Sequence, residues 1–160
     1  MKKLYTIKII VGFVGIVTTF ISCVEKKGHA SKPSQIPLVG TWQLLTGTLI
    51  EKGDTVVTGY TKNISFIKII NDTHFAFLQH DLKKGIDSVP VFASGGGSYS
   101  LSDSSYTEHL EYCSARDWEG HDFKFIIDIK NDTLIQSGVE IVESAGINRI
   151  NIEKYIRVKK

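Results

Sequence analysis

Tyr106-Thr107-Glu108-His109-Leu110-Glu111-Tyr112 alternates along its length, with Tyr106, Glu108, Leu110 and Tyr112 on one face and Thr107, His109 and Glu111 on the other. Successive residues of a strand point to opposite sides of a sheet, so this stretch reads as a half-buried β-strand with its first face inward. The same period of two recurs further along the chain. Phe123, Phe125, Ile127 and Ile129 share a face opposite Lys124 and Asp128, and Ile150-Asn151-Ile152 sets two isoleucines together. Turn-forming residues punctuate these runs at Gly53-Asp54, Asn71-Asp72, Lys84-Gly85, Ser94 to Gly97, Ser102 to Ser105, Glu119-Gly120, Asn131-Asp132 and Ala145-Gly146. That cadence is the one expected of an antiparallel sandwich or barrel of about 8 to 9 strands.

Composition points the same way. From Cys23 onward the chain holds 16 Ile, 9 Val and 9 Thr against 5 Ala, 9 Leu and no Met. Branching at Cβ stiffens χ1 and suits a pleated surface, so an all-β domain with at most a short helix is expected. Asn71-Asp72-Thr73 and Asn131-Asp132-Thr133 are two hairpin turns with the same chemistry, a cheaper account than an internal duplication. With 160 residues, 42% of them apolar and 22% charged, collagen-like, coiled-coil, disordered and multi-pass membrane chains are excluded.

The N-terminus carries an address. Met1-Lys2-Lys3 is positive, Ile9 to Ile21 is an apolar run of thirteen residues, and Phe20-Ile21-Ser22-Cys23 closes it. A helix needs roughly 20 residues to cross a bilayer core, so residues 1–22 read as a signal peptide rather than a spanning anchor. Residues 24 to 37 are polar and hold two of the three prolines, which suits a flexible tether. Removing Lys2, Lys3 and Lys8 with the signal leaves 16 of the 19 basic side chains against 17 acidic ones, a net charge of −1. A near-neutral domain lacks the basic footprint of nucleic-acid binding.

The tetrapeptide ending at Cys23 resembles a bacterial lipobox, which implies diacylation of Cys23 and leaves Cys113 without a disulfide partner. Leu38-Val39-Gly40-Thr41-Trp42-Gln43-Leu44 looks like the first strand of lipocalin-like proteins, whose entry motif is Gly-x-Trp. Phe75-Ala76-Phe77, Gly96 to Leu101 followed by Tyr106-Thr107-Glu108, and the final Glu153-Lys154-Tyr155-Ile156-Arg157 continue that likeness. Over residues 38 to 158 the chain resembles the lipocalin-like (calycin-type) domains of small lipoproteins common in Bacteroidetes. The resemblance implies three segments: signal peptide 1–22, lipidated Cys23 and tether 23–37, and an up-and-down β-barrel 38–160. It also implies an Arg157 that crosses Trp42 at the closed end as an architectural pair, and a lipid-anchored place in the cell envelope, at the outer membrane facing periplasm or cell surface.

Chemistry is less legible. The five histidines, at 29, 74, 80, 109 and 121, show no metal-ligand spacing, since His74 and His80 on one strand face would stand about 20 Å apart. Ser94 to Ser98 lacks the Gly-Lys-Ser/Thr ending of a phosphate loop, and no Gly-x-Ser-x-Gly, His-Glu-x-x-His or Cys-x-x-Cys occurs. No cofactor, catalytic constellation or metal site is therefore expected. Cys113 reads as a half-buried structural thiol. Glu108 stands out, because an ionised carboxylate on an apolar face costs several kcal/mol unless it is paired. It either pairs with an inward Lys or Arg, or holds the polar end of a ligand, or acts as a base. Candidate cavity residues are Phe66, Phe77, Tyr99, Tyr106, Glu108, Tyr112 and Phe125, in keeping with apolar pockets that carry few polar anchors. Three functions remain open: a barrel binding a small apolar or amphipathic molecule, a filled barrel that meets an envelope protein partner, and a barrel enzyme on a lipid-like substrate with Glu108 as base.

Overall fold

The computed structural model describes residues 37–86 and 90–159. The expected signal peptide, the lipidation site Cys23 and nearly all of the tether lie outside the described residues. Nine strands follow one another: β1 (Gly40–Glu51), β2 (Asp54–Gly59), β3 (Ile64–Ile70), β4 (His74–Asp81), β5 (Phe92–Ser102), β6 (Ser105–Cys113), β7 (His121–Lys130), β8 (Thr133–Val142) and β9 (Ile147–Arg157). Short 3-10 turns, η1 (Arg116–Trp118) and η2 (Glu143–Ala145), interrupt the β6–β7 and β8–β9 connections. All pairings are antiparallel, and β9 returns to β1, so eight strands close a barrel and β2 is additional. Closure removes the sheet edges that an open sheet would expose.

β2 and β3 pair with the same edge of β1. Thr46 to Glu51 face β2, and Gly40 to Gln43 face β3, with Tyr60–Asn63 as an excursion between them. The two are in effect one wall strand, broken where the chain loops out. Tyr60 is pinned to the break through its N–H to the Leu45 carbonyl, 2.9 Å away, and its ring meets Phe66 edge-on.

At one end the barrel is plugged. Trp42 is fully buried among Leu38, Leu44, Ile70, Phe75, Ile127, Leu134 and Tyr155. Its indole N–H donates to the Leu38 carbonyl at 2.8 Å, and the Arg157 guanidinium lies 4.0 Å from its ring centroid. Arg157 also donates to the carbonyls of Pro37 and Val39, tying the last strand to the chain entering the first. The turns at this end use residues that accept a left-handed backbone: Asp103 (φ 52°), Asn131 (φ 46°) and Asp132 (φ 62°).

Two readings of the sequence need correction. Ser94 to Gly97 is no turn but the middle of β5, opposite a bulge. Gly96 pairs with Tyr112 while Gly97 pairs with Leu110, which makes Glu111 an extra residue on β6. Its carboxylate accepts from the Ser98 N–H and hydroxyl at 3.0 and 2.7 Å on the outer surface. The bulge reverses the parity of β6 beyond it, so Tyr112, expected inward, is 68% exposed outside the barrel, and Cys113 takes the inward place. On β9 the period of two at Ile150-Asn151-Ile152 puts Ile150 outside, 41% exposed, and buries Asn151.

The glycines here answer to close approach. A Cβ on Gly97 would sit 2.0 Å from the His109 carbonyl oxygen, and one on Gly95 would sit 2.5 Å from the Phe77 ring. Gly97→Ala is expected to cost about 1–3 kcal/mol through forced backbone displacement, read from the urea unfolding midpoint. Gly53→Ala, with open space around it, should fall below that through its turn conformation alone.

Candidate functional site

Above the plug the inward side chains change character. On β3, the face shared with buried Ile70 places Lys68 in mid-barrel and Phe66 above it. On β6 the same level carries Glu108, on β8 Gln136 and on β9 Glu153. The Lys68 Nζ donates to Glu108 Oε1 at 2.7 Å and to Gln136 Oε1 at 3.1 Å, with Glu153 Oε2 at 3.7 Å. The rings of Tyr155 and Phe75 lie 5.4 and 5.8 Å from the same ammonium. Tyr155 donates its hydroxyl to Glu153 at 2.8 Å.

Glu108 thus has its partner in Lys68. The side chains of the pair are only 9% and 3% exposed. Burial raises the pKa of Glu108, and the adjacent ammonium opposes that rise. For Lys68, the loss of water would lower the pKa, but Glu108 and Glu153 outweigh it, and the ammonium is held above its ordinary range. Burial and the Glu108 charge push the Tyr106 phenol far up. Among the described residues the Gln136 side-chain nitrogen has no hydrogen-bond partner.

A cavity of about 370 Å³ opens from this polar layer toward the barrel mouth. Its walls are Leu49, Tyr60, Phe66, Phe77, Leu110, Phe123 and Phe125, with Trp118 of η1 at the rim. The Phe66 and Phe77 rings stack at 5.7 Å. A second polar group on β8 and β9 is internally satisfied: Glu140 accepts from Asn151 Nδ2 and Arg149 Nε, both at 2.7 Å, and the Arg149 guanidinium lies 5.2 Å from the Trp118 ring. The cavity is therefore lipophilic on its sides and charged at its base.

Of the residues singled out from sequence, Phe66, Phe77, Glu108 and Phe125 line this cavity. Tyr106 is buried beneath it against Tyr99, whose hydroxyl donates to the Asn71 carbonyl at 2.8 Å, and Tyr112 lies outside. Cys113 is half-buried on the cavity wall. Sequence reasoning missed Lys68, Gln136, Glu140, Arg149, Asn151 and Glu153. Lys68 had a signal, since Phe66, Lys68 and Ile70 share a strand face. Among the described residues, no three His, Cys, Asp or Glu side chains are grouped to hold a metal ion, and no helix is long and apolar enough to cross a membrane.

The sequence matches no family model and no curated protein. The class that the fold itself defines is a closed antiparallel β-barrel of eight strands with one additional strand.

Removing one member of a buried ion pair strands the other, at about 3–5 kcal/mol, whereas replacing both by apolar groups is near neutral. Lys68→Met is therefore expected to lower stability by about that amount, and Lys68→Met with Glu108→Leu to recover most of it. Urea unfolding of the two single variants and the double variant measures this coupling.

Proposed function

We propose that this chain is a lipid-anchored envelope protein whose lipocalin-like barrel binds a small apolar or amphipathic molecule. The observation that carries the reading is the cavity of about 370 Å³, aromatic and aliphatic on its walls and charged at its base. That volume lies within the range of roughly 300–1,000 Å³ of small-molecule sites, and a few placed polar groups among apolar walls are their usual lining. At the roughly 30 Å³ that a water-sized group occupies, the space suits a ligand of about a dozen heavy atoms. Binding suffices as the function: Glu108 is committed to Lys68, and its outward neighbour Glu111 is held by Ser98. The anchor is supported by the lipobox-like Phe20-Ile21-Ser22-Cys23.

A second reading, docking of an envelope protein partner, is favoured by the outer face of the barrel. Val57, Val139, Ile141 and Ile150 are 64%, 51%, 51% and 41% exposed there. Large exposed apolar surface marks interaction sites.

Native mass spectrometry of the Cys23→Ser chain purified from bacterial cells discriminates the two. A reproducible mass of small-molecule size, retained under gentle conditions and lost on denaturation, is expected for the binding barrel. A bare mass together with a co-purifying protein would favour docking. The anchor has its own measurement: the unaltered chain should incorporate labelled palmitate and sediment with membranes, and Cys23→Ser should do neither.

A further inference from the structure

The cavity base is not electrically balanced. Its charged groups are Lys68 against Glu108 and Glu153, one carboxylate in excess, while the Arg149–Glu140 pair stands by Trp118 at the rim. Lys68 is already engaged by Glu108 and Gln136, and Arg149 gives its Nε–H to Glu140 away from the base. An entering anion would meet uncompensated negative charge in a setting shielded from water, where like charges repel strongly. Among the described residues it would find no free cation at that level.

One polar group at the base is uncommitted. Gln136 is 1% exposed and lines the cavity, and its Oε1 accepts from Lys68. Its Nε2 has no hydrogen-bond partner among the described residues. Lys68 fixes which end of the amide is which, because an ammonium only donates and so selects the oxygen. The Nε2–H groups are therefore donors left for something in the cavity, and a buried donor without an acceptor is costly.

We propose that the ligand is an uncharged amphiphile carrying a hydroxyl, carbonyl or amide oxygen, seated with that oxygen on Gln136 Nε2 and its apolar chain running past Phe66 and Phe77 to the mouth. This rests on the cavity-binding reading above and adds the polarity of the head group. A fatty carboxylate is rejected by the surplus carboxylate, and an alkylammonium by having no acceptor for Gln136.

The test is isothermal titration calorimetry of the full chain carrying Cys23→Ser at pH 8 with four probes of one chain length: 1-decanol, 2-decanone, decanoate and decylammonium. 1-Decanol and 2-decanone should bind tightest, with the two ions weaker by about tenfold or more, the worth of one hydrogen bond made or left unmade. Gln136→Glu keeps an oxygen for Lys68 and replaces the donor by an acceptor, so it should weaken the ketone 2-decanone, which only accepts, by about tenfold and strengthen decylammonium, whereas an alcohol can turn its own O–H toward the new carboxylate. A thermal melt checks that this variant folds, and the wild-type ranking decides by itself if it does not. Decanoate or decylammonium binding as tightly as 1-decanol would overturn the head-group assignment while leaving the cavity-binding reading standing, and so would a folded Gln136→Glu with an unchanged ranking. Binding of none of the four probes would overturn both.

Discussion

An ammonium at the centre of a barrel sets the terms for the rest of this molecule. Lys68 Nζ has traded water for Glu108 at 2.7 Å, Gln136 at 3.1 Å and Glu153 at 3.7 Å. These partners come from β6, β8 and β9, while Lys68 belongs to β3. Four walls of the barrel are thus tied through one point, and the geometry has to be kept because a buried charge that loses its partner costs several kcal/mol. The polar layer also divides the interior. Below it lies a plug built around Trp42, Tyr106 and Tyr155, and above it the aromatic walls stand apart around open space.

The two ends are built for different tasks. At the plugged end, Arg157 lies over Trp42 and its donors reach the carbonyls of Val39 and Pro37, so the last strand latches the segment that enters the first. Stacking of a guanidinium on an indole contributes roughly 0.5–2 kcal/mol, and the carbonyl bonds add positional constraint. At the mouth, the wall is broken between β2 and β3, and Trp118 sits on a connection rather than on a strand. Asp81 holds the β4–β5 connection by accepting from the N–H groups of Lys83, Gly85 and Val91, which keep its carboxyl below the ordinary range. Loops carried on a rigid barrel are where ligand access is usually controlled.

The strand architecture was legible because β-branched residues and turn chemistry agree at nearly every element. Asn71, Asp103, Asn131 and Asp132 stand at tight turns, and the Phe123 to Ile129 face is the buried one. Legibility failed where the interior is polar. On β8 and β9 the inward residues include Gln136, Glu140, Arg149, Asn151 and Glu153, while Ile135, Val139, Ile141 and Ile150 face out. Alternation then still reports a strand but does not tell which face is core, since that inference assumes an apolar interior. Tyr112 failed for another reason: the extra residue Glu111 flips parity after Leu110, and a bulge leaves no mark on a period of two until the partner strand is known. Glu108 was legible as a carboxylate in need of a partner, but only the closure of the barrel brings Lys68, forty residues away in sequence, to it.

Charge at the base and aromatic walls above keep the barrel open around a ligand-sized space. The decisive measurement is a crystal structure of the protein purified from its own cells. Phe66, Phe77, Leu110 and Phe123 are expected to stand back from the axis, with elongated density between them and an oxygen within hydrogen-bond distance of Gln136 Nε2. Rings of Phe66 and Phe77 turned inward to meet Lys68, leaving a packed core with no such space, would contradict it.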